Sequence, residues 1–196
     1  MKDMKLSKIK TKKELERKER KRKAAFALLI IFLLALSTAG FALYGRQEQE
    51  TRKYKNFKFV RQDNSWTTTI QGKEIATSFL PQEVENISSY LFFTYKDFSD
   101  KIYFVAFETE EKIALNEILG NIQPYNAQKA CLEEQAELTE CVDLPLKNCS
   151  DSKIFIIRES NITEVRQEEN CIFVEGNSTN LLKAADKAIF ELFGIR

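Results

Sequence analysis

The residues with the most distinctive chemistry are four cysteines: Cys131, Cys141, Cys149 and Cys171. Thiolate metal sites need Cys-x2-4-Cys spacing, and the gaps here are longer. The chain has no His, so a mixed Cys/His zinc site is excluded. A Cys-x-x-Cys redox pair is also missing. An even number of cysteines in an exported segment reads as two disulfides. Three pairings are open. Cys131–Cys141 with Cys149–Cys171 is the favoured one, because the first closes a local loop and the second ties that loop to a strand.

The lack of His also removes the commonest general base and every Ser-His or Cys-His arrangement. No nucleophile elbow, phosphate loop or dinucleotide fingerprint is present. Carboxylate chemistry is what remains, with Glu83/Glu85, Asp97/Asp100, Glu133/Glu134 and Glu168/Glu169 as neighbouring pairs. A glycosidase would hold two such groups a few ångströms apart across a cleft, and these spacings do not require one. They read first as solvated surface. No catalytic residue, cofactor or metal is expected.

Binding chemistry has a better candidate. Tyr90, Phe92, Phe93 and Tyr95 are closely spaced aromatics that could stack on a sugar or anchor a protein partner. The plainer reading puts them in the core, as it does Trp66. Sequons stand at Asn86, Asn148, Asn161 and Asn177. Asn86, Asn161 and Asn177 are candidate glycosylation sites. Asn148 is the weaker one, because Cys149 is its middle residue.

Position in the cell follows from the opening stretch. Ala24 to Gly45 is uncharged over 22 residues, enough at 1.5 Å per residue to span a bilayer core of roughly 30 Å. Residues 1–23 hold 12 Lys/Arg and 4 Asp/Glu. Nine Lys/Arg lie in the 15 residues before Ala24 and five in the 15 from Gly45. This excess predicts a basic cytoplasmic leader (1–23) and an uncleaved transmembrane signal anchor (24–45) with its N-terminus inside. Small residues at Ser37–Ala39 and Gly40–Ala42 keep a cleaved signal peptide as the rival. Ala35 and Ala39 form a small-xxx-small pair that suits oligomerisation through the anchor.

Residues 46–56 read as a linker and 57–196 as one extracytoplasmic domain. After the leader the chain holds 18 Lys/Arg against 25 Asp/Glu, so nucleic acid is not an expected partner. The pattern predicts strands at 57–62, 66–71 and 74–80 around the turns DNS and QGK. A short helix should begin at Pro81. KIYFVAFE (101–108) and KIFIIRES (153–160) read as central strands. A helix capped by Thr109 should end near Gly120. TEVRQ and NCIFVEG should form a hairpin, and a closing helix should bury Leu181, Leu182, Ala185, Ala188, Ile189, Leu192 and Phe193 on one face. The expected fold class is α+β: an N-terminal transmembrane helix, then one ectodomain with a mostly antiparallel sheet and two or three packed helices.

The opening FKF…W…I.G.E…LP, the NCIFVEG strand and the closing AADKAIFELFGI helix resemble uncharacterised single-pass membrane-anchored proteins of small-genome archaea. The resemblance implies this layout and carries no activity. The expected function is a membrane-tethered, non-enzymatic binding or assembly module of the cell envelope. Its partners would be membrane lipid, through 24–45, and an envelope protein or glycan. The alternatives are a subunit of a membrane complex held through the anchor, and an envelope enzyme using carboxylate chemistry on glycan or peptide.

Overall fold

The computed structural model describes residues 12–44 and 50–196, with side chains from Glu16 to Leu36 and from Glu50 onward. It divides into two compact units, Met1–Glu48 and Gln49–Arg196. In the first unit, α1 (Lys12–Tyr44) is one continuous helix of 33 residues. From Phe26 to Leu36 its large apolar side chains are exposed. Among the described residues, no helix is long and apolar enough to cross a membrane. The anchor expected at 24–45 is therefore not met there. The described apolar side chains stop at Leu36, a run of about 20 Å along the axis. Ala39 and the rest of 37–45 lie outside the described side chains, as do residues 1–11 of the leader.

The second unit begins with a meander. β1 (Thr51–Tyr54), β2 (Phe57–Gln62), β3 (Ser65–Ile70) and β4 (Lys73–Thr77) pair in sequence order, all antiparallel. The β3–β4 turn places Gln71 at φ 50° and Gly72 at φ 82°. Two successive positive φ angles give the turn whose twist matches a hairpin. Period-two alternation sends Phe59, Trp66, Ile70 and Ile75 to the core. β1 lies within the segment expected to be a linker: its register brings Tyr54 opposite Phe57.

The remainder builds a second sheet around two helices. In chain order it contains β5 (Ser88–Tyr90), β6 (Lys101–Val105), α2 (Thr109–Ile122) and β7 (Asn126–Lys129). The short pair β8 (Cys131–Leu132) and β9 (Leu146–Lys147) follows, then β10 (Ile154–Glu159), β11 (Glu164–Glu168), β12 (Cys171–Gly176) and α3 (Leu181–Leu192). The strand order is β5-β11-β12-β10-β6-β7. The expected hairpin is present as the antiparallel pair β11/β12. Every other ladder of this sheet is parallel.

The class is α+β with three helices, and antiparallel pairing governs the meander. Beside the mostly antiparallel sheet expected, the six-stranded sheet adds four parallel ladders to its one antiparallel pair. The physical reason is the β6–α2–β7 crossover, since a helix between neighbouring strands returns the chain in the same direction. The runs IFII and CIFV are also buried on both faces, as parallel strands are.

The main core joins residues of the meander, both helices and the six-stranded sheet. Phe59 of β2 meets Phe190 of α3 edge-on at 6.1 Å. Ala114, Ala184, Ala185 and Ala188 are fully buried between the helices. The single buried face expected of α3 is thus exceeded: Asp186, Phe190 and Glu191 are buried too, while Leu182 is only half-buried. Of the stripe Leu115, Ile118, Leu119 and Ile122 that the spacing predicts for α2, all are buried but Leu119, which is half-buried. Gly120 lies inside that helix, which ends instead at Gln123 in the left-handed region, φ 50°. Its N-cap position is Glu108 rather than Thr109. The Glu111 carboxylate accepts from the backbone N–H groups of Phe107 and Glu108. At Pro81 the expected helix is one 3-10 turn, Pro81–Glu83.

The opposite face of the six-stranded sheet carries a smaller cluster of Val105, Leu132, Ile154, Ile156, Cys171 and Phe173. Two disulfides fasten the irregular segment over it, Cys131–Cys141 and Cys149–Cys171, with Cα separations of 5.8 and 5.1 Å. This is the favoured pairing. No free cysteine remains.

Candidate functional site

Cross-strand register lines up side chains on the face covered by the disulfides. Tyr90 lies opposite Arg166, Arg166 opposite Phe173, and Phe173 opposite Ile156. The row runs from solvent at the β5 edge to apolar floor at the centre. Tyr90 is 63% exposed and Phe173 7%. The Arg166 guanidinium sits 3.9 Å from the centroid of the Phe173 ring, a close cation–π contact. Glu164, Glu168 and the buried Glu175 surround Arg166, and Arg158 also pairs with Glu175.

Beside this row the stapled segment encloses a hollow of about 430 Å³. Phe173, Leu132 and the Cys149 end of a disulfide line its apolar part. Glu133, Glu134 and Glu168 line its polar part, with Lys147 opposing them. Two carboxylate pairs that looked unrelated in sequence therefore contribute to one hollow. Among the described residues no group of three or more His, Cys, Asp or Glu is placed to hold a metal ion. A larger hollow, about 510 Å³, lies on the meander and is lined mainly by Thr, Gln and Lys side chains with Glu74. Phe57 and Val60 also line it, and no disulfide forms part of its wall.

The expected aromatic surface divides in two. Tyr90 and Phe92 point outward, 63% and 70% exposed, with ring centroids 4.7 Å apart. Phe93 turns inward against Phe98 at 5.3 Å. Tyr95 stacks on Phe193 at 4.4 Å and 4°. Trp66 is buried in the core. The outward turn is fixed by Gln167 of β11. Its Oε1 accepts from the backbone N–H groups of Phe92 and Phe93, at 2.8 and 3.1 Å. Its amide donates to the Glu169 carbonyl at 2.9 Å. The exposed pair is thus held on a fastened strand end.

Sequence reading missed a second group of acids. Asp186 of α3 is fully buried, and its Oδ2 accepts from Phe79 N–H at 2.7 Å. Glu117 of α2 accepts from both Ser78 N–H and Ser78 hydroxyl, at 2.8 and 2.9 Å. Burial pushes the Asp186 carboxyl well above the usual carboxylate range, and the neighbouring Glu117 adds to the shift. Asp186 Oδ1 is buried and has no hydrogen-bond partner among the described residues. Asn121 completes the suture through both N–H and C=O of Ala76. These carboxyls are spent on backbone amides of the 76–79 segment. Asp186 has no face toward solvent on which a substrate could sit.

Of the remaining neighbouring carboxylates, Asp97 and Glu83 are capping groups: Asp97 accepts from Thr94 N–H and hydroxyl, which pulls its carboxyl below its ordinary value. Glu83 accepts from Leu80 N–H. Asn86, Asn161 and Asn177 are exposed, and Asn148 is half-buried. The chain matches no protein-family model, no curated protein and no solved structure.

Proposed function

We propose that this chain is a non-enzymatic, membrane-tethered binding module of the cell envelope, with its 49–196 domain outside the cytoplasm. The observation that carries the binding role is the exposed Tyr90–Phe92 pair, fixed by Gln167 and continuous through Arg166 with the Phe173-floored hollow. Aromatic and Arg side chains at a rigid rim beside a hollow are the usual anchors of recognition. The three carboxylates against one Lys in the hollow favour a basic polypeptide or a neutral glycan of the envelope.

The tether rests on residues 24–45, whose uncharged run follows a strongly basic leader. In this reading α1 carries that run into the membrane with its N-terminus in the cytoplasm. The two disulfides agree with an oxidising compartment.

The test is capture of envelope components by the full chain in mild detergent, comparing wild type with Tyr90→Ala/Phe92→Ala. Both side chains are exposed, so stability should stay within about 0.5 kcal/mol per substitution. Specific capture should fall at least about tenfold, a loss of about 1.4 kcal/mol. Undiminished capture by the double variant would move the binding surface elsewhere. It would favour a membrane-complex subunit held through the anchor.

A further inference from the structure

Sheet topology gathers three of the four sequons at one end of the molecule. β10 and β12 run in parallel, with Glu159 opposite Gly176 at their carboxyl ends. β11 runs against β12, with Glu164 opposite Glu175. β5 runs with β11, with Ser88 opposite Glu164. Asn177 therefore follows the end of β12, Asn161 lies in the β10–β11 connection, and Asn86 precedes β5, all at the same end of the sheet. Two interstrand gaps separate β5 from β12, about 10 Å.

All three asparagines are exposed, as are Ser88 and Thr179 of their sequons. No hydrogen bond to a described residue occupies the Nδ2 of any of them. At Asn177 the side-chain contacts are made by Oδ1, which accepts from Asn180 N–H at 3.0 Å and Thr179 hydroxyl at 2.8 Å. Asn148 differs in each respect. It is half-buried, and its Nδ2 donates to Glu133 at 3.0 Å. Its Oδ1 accepts from Ser150 N–H and hydroxyl, and Cys149 is bridged to Cys171.

We infer that Asn86, Asn161 and Asn177 carry N-linked glycans and Asn148 does not, giving the domain one glycan-covered end. The opposite end holds the starts of β10 and β12 and the Cys149–Cys171 bridge, while Tyr90 stands level with Phe173 in the middle of the sheet. The glycans therefore gather at the end of the sheet away from the Cys149–Cys171 bridge. In each transfer the asparagine Nδ2 bonds to the anomeric carbon of a lipid-pyrophosphate-linked oligosaccharide. The bond from that carbon to the phosphate oxygen breaks, the lipid pyrophosphate leaves with the electron pair, and Nδ2 loses one proton to a base. The inference rests on the extracytoplasmic placement proposed above.

The experiment is translation of the full chain with glycosylation-competent microsomes. It is read by glycosidase-sensitive mass steps and by protease protection of the 49–196 domain. Protection with three glycans is expected, one being lost with each of Asn86→Gln, Asn161→Gln and Asn177→Gln and none with Asn148→Gln. A protected domain carrying no glycan, or one on Asn148, overturns the inference and leaves the export reading standing. An unprotected domain overturns both.

Discussion

Asp186→Asn is expected to stabilise the domain at neutral and alkaline pH and to flatten its stability profile. Asn keeps an oxygen for Phe79 N–H and carries no charge to bury beside Glu117. The sign follows from linkage. The native carboxyl has a raised pKa, so between the unfolded value of about 3.9 and the native value the folded state holds a proton that the unfolded state has released. Its contribution is present in full below the unfolded pKa and is lost as pH rises through the folded one. The gap between variant and wild type should therefore widen with pH in melts taken from pH 5 to pH 9. Asp186→Ala has the opposite expectation. It strands Phe79 N–H in the core, which costs about 1–3 kcal/mol, or about 2–4 °C of Tm per kcal/mol in a domain of this size. Parallel wild-type and Asn profiles would show that Asp186 is charged in the native state.

The disulfides carry the other large effect. In the loop-entropy model, a closed loop of 22 residues contributes about 3.4 kcal/mol and one of 10 about 2.7 kcal/mol. Cys149→Ser/Cys171→Ser should therefore destabilise more than Cys131→Ser/Cys141→Ser. It also places a hydroxyl where Cys171 is fully buried beside Phe173 and Ile154. Because this bridge is the covalent tie between the stapled segment and β12, its loss should open the hollow as well. Denaturant melts give the ranking, and hydrogen exchange of residues 130–150 reports the opening. Equal small losses for both pairs would mean that packing, rather than the staples, holds this segment.

These two effects mark where the sequence could and could not be read. The meander, the β11/β12 hairpin and both domain helices were legible because alternation, turn chemistry and helical periodicity are local signals. The disulfide pairing was accessible from spacing and the strand at Cys171. Parallel pairing of β6, β10 and β12 was not, since buried parallel runs look alike whatever their partner. Asp186 illustrates the deeper limit. On a helical wheel it belongs with solvent, opposite Leu181, Ala185 and Ala188. Only a meander packed over the other side of α3 buries it, and that depends on contacts between Asp186 and a segment 107 residues away. The split of the aromatic run has a similar cause. Gln167 decides that Phe92 faces out and Phe93 in, from 75 residues along the chain.

The central claim, a disulfide-locked domain outside the cytoplasm, is tested most directly by blocking free thiols in intact cells and then mapping peptides with and without reductant. The account predicts Cys131–Cys141 and Cys149–Cys171 as linked peptides, released only by reductant, with no blocked cysteine among the four. Four blocked, unlinked cysteines would contradict it and return the domain to a reducing compartment.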